Sequence, residues 1–336
     1  MHALILGATG STGQALVSHL ASTGPPVRLS AISRTAAALP GVARIMTGHY
    51  GDLAGSADLR RWLAEVGAIV HLADGLSVLQ RPASAVDCAL AETLLTGSVR
   101  LAVAAREAGV PLLVYVSSIK ALCDEDDERV LDDWALPRGT SLYGRSKLRL
   151  EQLLAKAVAG SGTRLAVVRN PVMYAPGKPG SLQRLLRLAD TPLPLPLGGL
   201  NNRRSLLAVR NLASALAAIV RTPPHAAAGT FHIHDGPPLS TTQIVAALRA
   251  GLGRPRRLFP IGAAGAAAAG RVPLVAPVAR RLYGSLALSD ARFRAAFHWT
   301  PVVESRAGLA ELAAAHAAGR GKRGKDAISA TGLHEG

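Results

Sequence analysis

The chain of 336 residues, 49% hydrophobic and 18% charged with a mean hydropathy of +0.24, has enough apolar material for a full core and excludes a disordered protein. Two cysteines, Cys88 and Cys123, exclude a disulfide framework or a four-cysteine metal site and suit a reducing compartment. The net charge of +16 suggests a polyanionic partner, but the 38 basic residues comprise six lysines and 32 arginines spread along the whole chain, and aromatics make up only 4%; no nucleic-acid partner is expected.

From Met1 to Val27 no Asp, Glu, Lys or Arg occurs, yet Gly7, Thr9, Gly10, Ser11, Thr12 and Gly13 interrupt the apolar run and no basic stretch precedes it. This predicts a buried strand and its helix, not a leader or a membrane span. Strands are predicted over residues 3–6, 27–32, 68–72, 112–116, 165–168 and 230–234, with helices over 13–22, 57–66 and 90–108. Continuous apolar strands alternating with helices predict an α/β fold, a doubly wound parallel sheet of Rossmann type covered on both faces. After Pro171 the alternation decays, and Pro192, Pro194 and Pro196 mark a loop. Residues 1–171 are therefore read as a dinucleotide-binding domain, with segments near 205–235 returning to it. Residues 172–318 are read mainly as a smaller substrate-binding lobe and 319–336 as a disordered basic tail. The apolar stretch 258–279, broken by Gly, Pro and Arg271, is expected in the core or on the surface, so no membrane span is expected.

The first strand runs into Gly7-Ala8-Thr9-Gly10-Ser11-Thr12-Gly13, followed by a helix. Glycines allow close approach of a pyrophosphate, and the helix start supplies N–H groups and a positive dipole end, so Gly7, Gly10, Ser11, Thr12 and Gly13 are candidate cofactor ligands. Arg34 ends the second strand, where an acid would bind a ribose 2′-hydroxyl and an arginine suits a 2′-phosphate; this favours NADPH, with a solvated arginine as the alternative. Asp52 and Leu53 stand where an adenine contact falls by position, an ordinary loop carboxylate being the alternative. Tyr143 and Lys147, at i and i+4, share one side of a helix, where the ammonium favours phenolate and makes the tyrosine an acid/base at neutral pH. Ser117-Ser118 closes the strand before them, at the carboxyl edge where open α/β sheets bind ligands. His232 and His234 share a strand face but lack a third ligand, so no metal is expected. Seven acidic residues between Asp124 and Asp133 read as a solvated loop over the cleft.

Together these residues resemble the extended short-chain dehydrogenase/reductases, the nucleotide-sugar epimerase/dehydratase family. The likeness extends to about Ala318 and includes the glycine motif, His71-Leu72-Ala73, Ser117-Ser118, Tyr143 with Lys147, Arg169-Asn170-Pro171 and Arg203-Arg204-Ser205. More narrowly, Ser117-Ser118-Ile119-Lys120, Asn202-Arg203-Arg204-Ser205-Leu206, Gly284-Ser285-Leu286 and Trp299-Thr300-Pro301 resemble a bacterial branch of UDP-sugar 4-epimerases and 4-ketoreductases of surface-polysaccharide assembly, including those forming UDP-N-acetylquinovosamine. The resemblance implies a cytoplasmic NAD(P)-dependent enzyme acting at C4 of a UDP-sugar, with a homodimer possible. It implies Ser118 as the catalytic hydroxyl, Tyr143 as acid/base and Lys147 as holder of the nicotinamide ribose. Ala73 and Pro171 join the cofactor residues, and Arg204 with Arg280 or Arg281 would bind the substrate diphosphate. Leu94, Leu122, Asn170 and Ala175 depart from the family pattern and leave the Ser-Tyr-Lys set intact. The rival reading is a non-catalytic dinucleotide-binding sensor or nucleic-acid-associated protein of the same fold, which has no need of that set.

Overall fold

The structure, a computed structural model, describes residues 1–35, 38–73, 75–80, 83–124, 127–178, 180–261, 271 and 276–331. The chain opens with β1 (His2–Leu6), α1 (Ser11–Ser22), β2 (Arg28–Ser33) and β3 (Arg44–Thr47), then α2 (Tyr50–Leu53), α3 (Ala57–Leu63), β4 (Ala68–His71) and α4 (Ala85–Glu107). There follow β5 (Leu112–Ser118), β6 (Asp127–Leu131), α5 (Leu142–Val158), β7 (Arg164–Asn170), β8 (Val172–Tyr174) and α6 (Ser181–Ala189). The rest is β9 (Leu206–Ala208), α7 (Val209–Arg221), α8 (Pro224–Ala227), β10 (Gly229–His232), α9 (Thr241–Gly251), α10 (Ala276–Tyr283), β11 (Leu286–Leu288), α11 (Ala291–Phe297) and α12 (Ser305–Thr331).

Seven strands form one parallel sheet in the order β10-β7-β5-β4-β1-β2-β3. The chain leaves β1 in one direction through β2 and β3 and in the other through β4, β5, β7 and β10, so the switch in strand order lies beside β1, where ligands of open α/β sheets bind. All five residues of β1 are buried, and they alternate between layers: Ala3 and Ile5 pack with α1 and α7, Leu4 and Leu6 with α3, α4 and α5. The doubly wound arrangement expected from the alternating apolar runs is thus the fold of this chain.

Beyond Pro171 the chain alternates between this sheet and a second core. The α7 helix and β10 belong to the sheet, while α6, α9 and α12 bury Leu182, Leu186, Val245, Leu248, Leu309 and Leu312 against each other. Two short parallel pairs, β8 with β9 and β6 with β11, join the two parts. Arg249, fully buried on α9, donates to the carbonyls of Leu193, Ala189 and Arg256 and so holds the loops of the smaller lobe in place of an acidic partner.

Two elements differ from the sequence expectation. The α4 helix begins at Ala85, five residues early, because Ser84 and Asp87 form a reciprocal capping box. It is also the one helix among the described residues long and apolar enough to cross a bilayer; here Ala91, Leu95, Leu101, Ala102 and Ala105 pack it into the core. The α12 helix continues through Thr331, so residues 319–331, expected as a disordered basic tail, are helical: Ala, Arg and Lys are good helix formers, and the first turns are anchored on α9 through Leu309, Leu312 and Ala313. Most of the apolar stretch 258–279 lies outside the described residues.

Candidate active site

The glycine loop is shaped by contacts that a side chain would destroy. Gly7 has φ +81°, and a Cβ there would stand 3.0 Å from the backbone N of Ala73 and 3.1 Å from the carbonyl carbon of Leu72. A Cβ on Gly13 would lie 2.2 Å from the Gly7 carbonyl oxygen and 2.5 Å from Ala8 Cα. Gly10 N-caps α1 with no side-chain cap, and no acid sits in the first helical turn, so the backbone N–H groups and the dipole of the helix start are not offset by a capping side chain or an acid. This glycine-rich cradle at the β1/β4 switch fits a dinucleotide pyrophosphate, and it brings Gly7, Gly13 and Ala73 together. Arg34 follows β2 directly, exposed, at the same sheet edge. Asp52 is exposed on α2, with half-buried Leu53 packed over Gly48.

The second constellation lies where β5 meets α5. Ser118 is the last residue of β5, and its Oγ accepts from the Lys120 backbone N–H at 3.3 Å. Tyr143 and Lys147 are buried on one face of α5, and Lys147 donates from Nζ to the Val116 carbonyl at 3.3 Å. The Lys147 ammonium stands 5.8 Å from the Tyr143 ring centroid and 5.2 Å from that of Tyr115, while Lys120 Nζ stands 5.9 Å from the Tyr143 ring. Two cations thus flank one phenol. Such a field favours the ionised form of a tyrosine. Pro171 is buried just past β7, and Asn170, the register partner of Ser118, has a buried Oδ1 with no hydrogen-bond partner.

The start of α5 is held by an acid. Ser141 caps the helix by accepting from Gly144 N–H at 3.0 Å, and Asp124 accepts from the Ser141 N–H at 2.6 Å as well as from the Ser141 hydroxyl and the Thr140 N–H. Burial pushes the Asp124 carboxyl up, but these hydrogen bonds, with Lys120 nearby, outweigh it and hold the group below the ordinary carboxylate range. The acidic stretch is accordingly not simply a solvated loop. Asp133 also turns inward and accepts from the His232 N–H at 2.7 Å; burial raises its carboxyl to about 6 against the opposing pull of that bond, Arg292 and Arg169. His232 is buried, which pushes it down to about 4, and His234 Nε2 faces Asp290 at 3.3 Å. His232 Nδ1 meets the Leu131 carbonyl at 3.3 Å while its buried Nε2 has no hydrogen-bond partner, and no group of three or more metal-ligating side chains occurs among the described residues.

A buried group that the sequence reading passed over lies one turn below Lys147. Glu151 accepts from Ser117 Oγ at 2.5 Å and pairs with Arg169 through Nη2 at 2.6 Å, all three side chains being buried. The signal was available: a glutamate on the same face as Tyr143 and Lys147 must be buried, and a buried carboxylate needs a partner.

The three candidate substrate arginines lie in the smaller lobe. Arg204, half-buried, bridges Leu239 and Leu286 through its backbone and donates from Nη1 to the Gly284 carbonyl at 2.9 Å. Leu286 and Leu288 pack with Ile119 and Leu122, immediately after Ser118, so Arg204 is coupled to the Ser118 segment through one small apolar cluster. Arg280 and Arg281 are exposed in the last turn of α10, which Gly284 follows directly.

Residues 3–233 match the NAD dependent epimerase/dehydratase family. The UDP-glucose 4-epimerase of Vibrio cholerae is 26% identical over 323 residues, which cover 93% of this chain and 94% of that protein. The UDP-N-acetylglucosamine 4-epimerase of Bacillus cereus superposes with a TM-score of 0.71 at 18% identity, covering 93% of this chain and 98% of the other. The Bordetella bronchiseptica enzyme WbmG, solved with NAD and UDP, superposes with a TM-score of 0.66 at 20% identity over 94% of this chain and 93% of its own.

Proposed function

The chain belongs to the NAD dependent epimerase/dehydratase family of enzymes, and from that membership we propose that it acts at C4 of a UDP-hexose, as a 4-epimerase or a 4-ketoreductase, in the synthesis of surface-polysaccharide precursors such as those of lipopolysaccharide O-antigen. The observation that carries this reading is the burial of Tyr143 and Lys147 on one face of α5, against the end of the strand that bears Ser118.

Gly7, Gly10, Ser11, Thr12 and Gly13 hold the dinucleotide pyrophosphate, with Ala73 and Pro171 bordering it and Asp52 and Leu53 toward the adenine. Arg34, exposed past β2, favours the 2′-phosphate and hence NADPH. Bound there, the nicotinamide dinucleotide supplies or removes a hydride at C4. Tyr143 Oη takes the proton of the C4 hydroxyl on oxidation and returns one to the C4 oxygen on reduction. Ser118 Oγ holds that same oxygen by hydrogen bonding as charge develops on it. Lys147, fixed by the Val116 carbonyl, stands beside the Tyr143 ring and holds the nicotinamide ribose. Arg204, with Arg280 or Arg281, grips the diphosphate, and residues 172–318 form most of the substrate lobe. Cys88 and Cys123, which form no disulfide, suit a reducing cytoplasm, and a homodimer is a possible assembly.

The two activities separate on cofactor consumption. Incubation with UDP-4-keto-6-deoxy-N-acetylglucosamine and NADPH or NADH, following absorbance and product stereochemistry, tests the reductase; C4 inversion of a UDP-hexose without net consumption marks the epimerase. Absence of both removes the proposal.

A further inference from the structure

Beneath the row formed by Ser118, Tyr143 and Lys147 lies a second buried row that the proposed chemistry does not use. Glu151 Oε1 accepts from Ser117 Oγ at 2.5 Å and from Arg169 Nε at 3.0 Å; Oε2 accepts from Arg169 Nη2 at 2.6 Å and from Nε at 3.2 Å. Ser117 and Arg169 are register partners on neighbouring strands, and the next pair in register is Ser118 with Asn170. One carboxylate on the helix that carries Tyr143 and Lys147 therefore grips two adjacent strands one residue short of Ser118.

We propose that Glu151 is a positioning residue which, through Ser117 and Arg169, sets the spacing between Ser118 on β5 and Tyr143 and Lys147 on α5. The inference rests on the reading of those three as the reacting groups. Apolar neighbours such as Leu150, Leu154 and Tyr115 hold α5 on the sheet but permit small slides along it, whereas four directional charge-assisted bonds do not. Stability alone does not explain the arrangement, because a well-packed apolar pair commonly matches or exceeds a buried ion pair. Alignment does explain it: displacement of a reacting group by about 1 Å costs on the order of 10²-fold in rate. An open groove between α5 and the β7–β10 edge is lined by Glu151 and Arg169 themselves together with Leu148, Gln152, Val167 and Thr230.

The test compares Glu151→Leu/Arg169→Leu, which substitutes an apolar pair, with Ser117→Ala, which removes one link and keeps the ion pair. Melting temperature, kcat and KM for the UDP-sugar, dinucleotide affinity, and amide hydrogen exchange without substrate are measured in each. The double variant is expected to melt within a few degrees of the parent, lose about 10²-fold in kcat and keep KM and dinucleotide affinity within about threefold. Ser117→Ala is expected to lose about tenfold in kcat, with exchange rising only over residues 118–121 and 142–147. A double variant that both melts and turns over like the parent overturns the proposal; so does Ser117→Ala with kcat and exchange unchanged, and that variant decides alone if the double variant does not fold. Should the parent turn over no UDP-sugar, the functional reading fails while the exchange measurement still decides the positioning role.

Discussion

A Cβ built on Gly144 would lie 2.2 Å from the carbonyl oxygen of Lys120. The residue after Tyr143 is thus pressed against the turn that follows Ser118, and Asp124 ties the same turn to the helix cap at Ser141. Because the obstructing atom belongs to the backbone, it cannot rotate away. Gly144→Ala should force α5 and the turn apart, costing about 1–3 kcal/mol of stability. The larger effect should fall on turnover, by up to about 10²-fold, since the displacement separates Tyr143 from Ser118. Denaturant melts and steady-state kinetics on the variant check both figures.

The glycine loop predicts a graded response. Gly13→Ala places a methyl 2.2 Å from the Gly7 carbonyl and should abolish dinucleotide binding while destabilising the fold. Gly10 has φ −75° and a Cβ there would stand 3.4 Å from the same carbonyl, an ordinary contact. Gly10→Ala should therefore melt close to the parent and weaken only dinucleotide affinity. Calorimetric titration with NAD and NADPH, beside thermal melts, separates the two.

Tyr143→Phe removes one oxygen and little packing, so the dinucleotide should bind as in the parent. Turnover should fall by about 10²–10⁴-fold, the range of a general acid–base group. Near-parental turnover would mean that another group moves the proton.

How much of this arrangement could be read in the sequence depended on range. The glycine loop and the Tyr143/Lys147 pair are local patterns: a run of seven residues and a spacing of four, each of which determines its own geometry once a strand or helix is assigned. Glu151 shows the opposite case, since its position on the helix face is local but its partners lie 34 and 18 residues away. Nothing in the spacing names Ser117 or Arg169 as those partners before the strand register is known. Asp124 likewise read as one member of an acidic run; only the fold brings Thr140 and Ser141 to it. Residues 319–331, read as a tail from their glycines and charge, continue α12 in the structure.

Arg204 is expected to bind the diphosphate through paired N–H groups, remote from C4. If that contact is equal in the ground and transition states, Arg204→Ala raises KM with little change in kcat. Titration of UDP into parent and variant by calorimetry should show a weakened site, and an unchanged affinity would assign the residue to packing around Gly284 alone.

Chemistry at C4 of a UDP-linked hexose can be followed by proton NMR of UDP-hexoses and a UDP-4-keto-hexose incubated with the protein and NAD(P)H or NAD. A new C4 configuration should appear, either an inverted epimer with no net change in cofactor or a reduced product formed one-for-one with cofactor oxidised, and it should be lost in Tyr143→Phe. Unchanged C4 signals in every substrate, from a protein that binds both dinucleotide and UDP, would contradict it.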